Sequence, residues 1–190
     1  MFYTKLKERQ NISDPSNLTK RYREFKGDYD LIEKLKLSNN TEAFISKLTI
    51  SEFVHSLSTE VIAEKLYNEG LPLSSWPIYM RDVHLSKDES DDLLNTVMEF
   101  IQNETDVTPK KQKSRIKVVD NDHDHFLIGE LLLKYEILTQ DAILLSTAIK
   151  YNYDFFVTSD KRLLKCSKNI PKSYLNKLQI ISSQTALTKF

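Results

Sequence analysis

Residues 137–158, ILTQDAILLSTAIKYNYDFFVT, constrain the fold more than any other stretch of this 190-residue chain. Ala142, Leu145, Ala148 and Ile149 recur at offsets of three and four, which puts them on one face of a helix. Thr139 can cap that helix, and Asp141 falls in its first turn. The helix feeds straight into Phe155-Phe156-Val157-Thr158. That run has no polar alternation, as expected of a strand covered on both faces. A one-faced helix leading at once into such a strand implies an α/β arrangement with a mostly parallel sheet.

The rest of the chain repeats the alternation. A short helix is expected over 1–12 and a turn at 13–17, then helical spacing over 18–38 that Gly27 interrupts. Residues 43–57 hold a strand, Ala43 to Ser46, and then a helix capped by Thr49 or Ser51. A second helix at about 59–69 ends at Gly70. A proline-punctuated loop surrounds Trp76 over 71–82, and a helix with an acidic start comes next, over about 86–103. A basic loop spans 108–115. Beyond it come a strand at 116–119, helices at about 123–135 and 139–151, a strand at 155–158, a short helix at about 160–165 and a last strand at about 178–182.

Composition removes several function classes. The chain has only 3 glycines, too few for a phosphate-binding loop, so Walker-type and dinucleotide-binding readings fail. No Ser-His-Asp order or nucleophile elbow appears, which ranks an unrelated α/β hydrolase or scaffold last. Lys+Arg and Asp+Glu both number 27, so global charge does not mark a nucleic-acid binder, although a local patch can hide in a neutral total. The single cysteine, Cys166, allows no intramolecular disulfide and reads as a half-buried small residue. No apolar run approaches the ~20 residues of a spanning helix. The expectation is a cytoplasmic protein with no membrane role.

In parallel sheets, ligands bind beyond the carboxyl ends of the strands. Asp160 lies there, just past the FFVT strand, and Asp141 opens the preceding helix, so both acids can meet at one sheet edge. Each acid also has an ordinary explanation. A first-turn aspartate complements the helix dipole, and an aspartate before 161–165 caps a helix. Lys161, Arg162, Lys165 and Lys168 come directly after, either as contacts to a nucleic-acid backbone or as a solvated helix face. The basic run at 109–117 carries the same two readings. Asp-Asn-Asp-His-Asp-His at 120–125 is rich in metal-ligand types, but its spacing matches neither an EF-hand nor a zinc finger, so its acids are expected as helix caps. His55 and His84 are isolated and read as structural.

Asp141-Ala142, the apolar helix face, and Thr158-Ser159-Asp160-Lys161 resemble the C-terminal half of a PIN domain, the ribonuclease fold of VapC-type toxins and related archaeal proteins. Upstream, LTISEF at 48–53 resembles that family's strand–helix junction, with Glu52 in the place of its glutamate. The resemblance covers 43–57 and 116–165. It implies a PIN-like three-layer α/β/α domain spanning 1–190, with a helical insertion at about 58–115. It also implies a metal-dependent endoribonuclease that hydrolyses single-stranded RNA. Glu52, Asp141 and Asp160 would hold Mg²⁺ or Mn²⁺, with Thr158 and Ser159 orienting a water or a phosphate oxygen. Lys161, Arg162 and Lys165 would contact RNA. The partners implied are an RNA substrate, an antitoxin protein and a second copy in a homodimer. One departure stands out. The family pattern opens with a strand ending Asp-x-Asn, whereas this chain opens MFYTKLKERQ, which resembles the family's segment just past that motif. The first strand is therefore expected to be absent or atypical, and Asp14, Asp28 and Asp30 are in the wrong context to replace its acid. The alternative is a catalytically degenerate PIN-like protein that binds RNA or a protein partner.

Overall fold

The computed structural model describes residues 30–35, 37–38, 41–104 and 116–190. The expectations for 1–29, including the first helix and the first strand, lie outside the described residues, as does the basic loop at 108–115. Residues 30–35 are helical, in line with the downstream part of the spacing over 18–38. The chain divides into two compact units, one of residues 44–118 and one of residues up to 43 together with 119–190.

Strand β1 (Ala43–Ser46) and strand β2 (Ile116–Val119), all but their outer residues in the 44–118 unit, pair in a two-stranded sheet at the positions the sequence predicts. Helix α1 is one continuous element, Lys47–Asn68, where the sequence predicts two helices. Ser58 and Thr59 resemble a helix start. Instead both hydroxyls donate back to the His55 carbonyl, at 2.8 and 2.9 Å. Such back-bonding keeps polar hydroxyl residues inside a helix. The cap is also displaced from Thr49 or Ser51 to Ser46, whose Oγ accepts the Thr49 N–H at 3.1 Å, while Ser51 donates to the Lys47 carbonyl from within the helix.

Gly70 ends α1 as expected. Its φ of +74° lets the Gly70 N–H reach the Tyr67 carbonyl at 3.0 Å and the Leu71 N–H reach the Leu66 carbonyl at 3.1 Å. This is a Schellman closure, and the left-handed residue it needs is a glycine. The segment after it is more ordered than a loop. It contains a 3-10 turn at Leu73–Ser75 and a one-turn helix α2, Trp76–Tyr79, with the Trp76 indole N–H on the Leu71 carbonyl. Helix α3, Lys87–Glu104, opens with a capping box: the Ser86 N–H donates to Glu89 Oε2 at 2.7 Å, and the Glu89 N–H donates to Ser86 Oγ at 3.3 Å. Lys65 of α1 reaches the same Oε2 at 2.5 Å. These bonds, led by that from Lys65, hold the Glu89 pKa down at about 2.

The second unit is built from helix α4 (His125–Tyr135), helix α5 (Thr139–Lys150), strand β3 (Phe155–Val157), helix α6 (Lys161–Cys166), helix α7 (Lys172–Leu175), strand β4 (Gln179–Ile181) and helix α8 (Ser183–Lys189). β3 and β4 are parallel, with Phe155 opposite Gln179 and Val157 opposite Ile181. A parallel pair needs a crossover, and α6 and α7 supply it. The fold class is α/β with short parallel strands, as expected.

The expected apolar face of α5 is the centre of this unit's core. Ala142, Leu145, Ala148 and Ile149 are all buried, packed with Leu131 of α4, Leu163 of α6 and Leu178. Two local expectations fail. Thr139 is not the cap of α5. The cap is Leu138, in extended backbone with no side-chain bond, and Thr139 is already helical. β3 is not covered on both faces either. Phe155 and Phe156 are half-buried, and Val157 is 38 % exposed. The only strand beside β3 among the described residues is β4. Phe155 is covered instead by the edge of Phe190 and by Lys189, whose Nζ is 4.6 Å from the ring centroid.

Candidate acidic site

Asp141 and Asp160 reach one edge through the turn between α5 and β3. Asn152 takes the left-handed conformation there, φ 54°, and closes a second Schellman motif: its N–H donates to the Ile149 carbonyl, and the Tyr153 N–H donates to the Ala148 carbonyl. The reversal sends β3 back along α5. The end of β3 and the first turn of α5 then share an edge.

The approach to Asp160 is fixed bond by bond. The Thr158 N–H donates to the Ile181 carbonyl at 3.0 Å and extends the β3–β4 ladder. Thr158 Oγ1 accepts the Asp160 N–H at 3.1 Å, so this hydroxyl shapes the turn. Ser159 Oγ lies 3.4 Å from Ser183 Oγ of α8. Asp160 is the N-cap of α6: its Oδ1 accepts the N–H groups of Arg162 at 2.6 Å and Leu163 at 3.1 Å. Among the described residues, Oδ2 accepts nothing.

Asp141 is half-buried in the first turn of α5, and neither of its carboxylate oxygens accepts a hydrogen bond among the described residues. Burial pushes its pKa above the ordinary aspartate range. The negative charge of Asp160 pushes it further, and the Arg162 guanidinium pulls it partly back. Asp141 and Asp160 are therefore close enough to feel one another. Arg162, grouped by sequence with Lys161, Lys165 and Lys168, is exposed in the fold but makes a bond to another element. Its Nη2 donates at 3.3 Å to the carbonyl of Glu136, the left-handed residue (φ 54°) that ends α4. Sequence carries no signal for this bond, since its partners lie 26 residues apart. Lys161 and Lys165 are exposed.

Glu52 is half-buried within α1, in the 44–118 unit. Two acids of the loop at 120–126, Asp122 and Asp124, have structural partners. Asp124 caps α4, accepting from Phe126 and Leu127 at 2.8 and 3.2 Å, and its own N–H donates to the buried Ser146 Oγ at 2.9 Å. Asp122 pairs with Lys150 at 2.6 Å, and His123 and His125 meet edge to face. No group of three or more His, Cys, Asp or Glu side chains converges among the described residues.

A family model for the PIN domain matches residues 22–169. The chain belongs to the PIN-domain family. The match joins the two stretches that carried the resemblance and extends it upstream to residue 22. PIN domains are in general nucleases that act on RNA with divalent metal ions. No curated protein and no solved structure matches the chain. No helix among the described residues of this PIN protein is long and apolar enough to cross a membrane.

The donor chemistry of the acidic edge fits such an ion. Both oxygens of Asp141 and Oδ2 of Asp160 are hard donors that accept no hydrogen bond among the described residues. Mg²⁺ is held by one or two carboxylates together with waters and substrate phosphate oxygens, so two acids make a sufficient protein share.

Proposed function

We propose that this PIN-domain protein is a metal-dependent endoribonuclease that hydrolyses phosphodiester bonds of single-stranded RNA. The observation that carries the reading is the coupled pair Asp141 and Asp160, aimed at one edge with oxygens to spare. A bound Mg²⁺ or Mn²⁺ would lower the pKa of a coordinated water and offset charge on the phosphate. The chain's own share is to hold the acids in place. The Thr158 hydroxyl sets the turn that aims Asp160, and Ser159 stands beside it as a donor to a water or a phosphate oxygen. Glu52, which matches the family's glutamate, is the proposed third acid. Lys161, Arg162 and Lys165 are the proposed contacts to the RNA backbone, whose affinity would weaken with salt.

We read residues 1–190 as one PIN-like domain with a helical insertion at about 58–115. Its proposed setting is the cytoplasm, as the toxin of a pair whose antitoxin covers the acidic edge, and its proposed assembly is a homodimer. The test is cleavage of a labelled single-stranded RNA with Mn²⁺, Mg²⁺ or EDTA, by the wild type and by Asp160→Asn. Metal-dependent cleavage lost in the variant supports the reading. RNA binding with no cleavage under any of the metals supports the alternative, a degenerate member, which is favoured by one observation: capping alone accounts for Asp160.

A further inference from the structure

The cations after β3 are all exposed but not equivalent. Among the described residues, no hydrogen bond ties the Lys161 or Lys165 side chain to the acidic edge. The Arg162 backbone N–H is one of the two that Asp160 Oδ1 accepts, and its guanidinium Nη2 donates to the Glu136 carbonyl at 3.3 Å. Glu136 ends α4 and stands two residues before the Leu138 cap of α5, the helix that carries Asp141. The guanidinium is thus stationed at the α4–α5 junction, on the side of the acid pair. A guanidinium has five N–H donors in a planar fork, and one bond to a carbonyl leaves the others available. A cation fixed beside two carboxylates suits a doubly liganded anion, above all one arriving with its own cation.

We propose that Arg162 is the phosphate-positioning residue of the acidic site, gripping the non-bridging oxygens of the RNA phosphate that reaches Asp141 and Asp160. This rests on the nuclease reading. It separates Arg162 from Lys161 and Lys165, which act along the RNA backbone at large. Glu136 serves through its carbonyl, so its side chain is free to vary.

The experiment has two readouts. Single-turnover cleavage in Mn²⁺ is measured at rising RNA concentration for the wild type, Arg162→Ala, Arg162→Lys and Lys161→Ala. Binding of the same labelled RNA is measured by anisotropy in Ca²⁺ and in EDTA, and Mn²⁺ affinity without RNA by calorimetry. Arg162→Ala should lower the saturated rate on the order of 100-fold, the usual effect of losing one fixed charge-stabilising donor. It should also abolish the gain in RNA affinity that Ca²⁺ gives the wild type, while keeping Mn²⁺ affinity. Arg162→Lys should recover part of the rate, since it restores the charge but not the fork. Lys161→Ala should act on KM and on the salt dependence. Thermal unfolding of each variant separates these effects from loss of fold. If Arg162→Ala keeps both the saturated rate and the Ca²⁺-dependent gain, the proposal is overturned and Arg162 only braces the Glu136 turn. If the wild type neither cleaves RNA nor binds it more tightly with Ca²⁺, the nuclease reading falls and the proposal falls with it.

Discussion

Replacing Asp160 by asparagine and by alanine separates its two roles. As N-cap, Oδ1 accepts two N–H groups, from Arg162 at 2.6 Å and Leu163 at 3.1 Å. Asparagine caps about as well as aspartate, whereas alanine leaves both donors to solvent and costs about 1 kcal/mol. Both variants also remove the charge that raises the Asp141 pKa, so that gain is common to them. The difference between the two variants therefore isolates the cap. In a chain of this size, about 1 kcal/mol corresponds to a Tm difference of roughly 2–4 °C. Thermal unfolding in EDTA should show Asp160→Ala melting below Asp160→Asn by that margin. In saturating Mn²⁺ the wild type should gain stability by mass action, and both variants should lose most of that gain. Equal melting of the two variants in EDTA would refute the cap. A full Mn²⁺ gain in Asp160→Asn would refute the metal role and leave the cap intact.

Gly70→Ala isolates backbone strain. The φ is +74°, and an added Cβ would meet nothing within 4 Å, so steric collision contributes nothing. The left-handed penalty of about 1–2 kcal/mol, partly offset by the stiffer unfolded chain, should lower urea-unfolding stability by about 1 kcal/mol. No loss would mean that α1 does not close on a left-handed residue. Asp141→Asn tests the acid that has no hydrogen bond among the described residues. Its folded pKa is raised, mainly by burial, so the folded state holds its proton more tightly than the unfolded chain. Stability is then lost as pH rises from the ordinary aspartate value near 3.8 through the raised folded pKa. Without metal, the asparagine variant should be more stable than the wild type at pH 7, and the gain should fade as pH drops below that window. A gain that grows in acid would contradict the burial argument.

Much of this fold is legible in the sequence because the decisive signals are local. β1 and β2 lie at the positions that sequence predicts, and all four residues of the α5 apolar face are buried. Gly70 ends its helix because the αL requirement and the residue type coincide. The failures share a cause. Ser58, Thr59 and Thr139 are residues whose hydroxyls bond either inside a helix or at its start, and composition does not choose between those partners. The covering of β3 escapes sequence reading because an apolar run says that the strand avoids water, not what lies over it. Covering is a tertiary matter, settled by Phe190 and Lys189 at the far end of the chain. The anchoring of Arg162 belongs to the same class, because its acceptor is a backbone carbonyl that no side-chain pattern marks.

The two aspartates also show why ordinary and functional explanations of an acid need not compete. A carboxylate has two oxygens. Asp160 gives Oδ1 to the first turn of α6 and keeps Oδ2 uncommitted among the described residues, so the cap that fixes the side chain also aims its second oxygen. Asp141 is the converse. It accepts no hydrogen bond among the described residues, is half-buried and stands near another negative charge, so the folded state disfavours its ionised form. Packing alone gives no reason to keep a carboxylate there, since asparagine would remove the charge at nearly the same volume. The strained acid needs a cation to relieve it, and the capped acid provides a rigid reference point beside it. A divalent ion would draw stability from both.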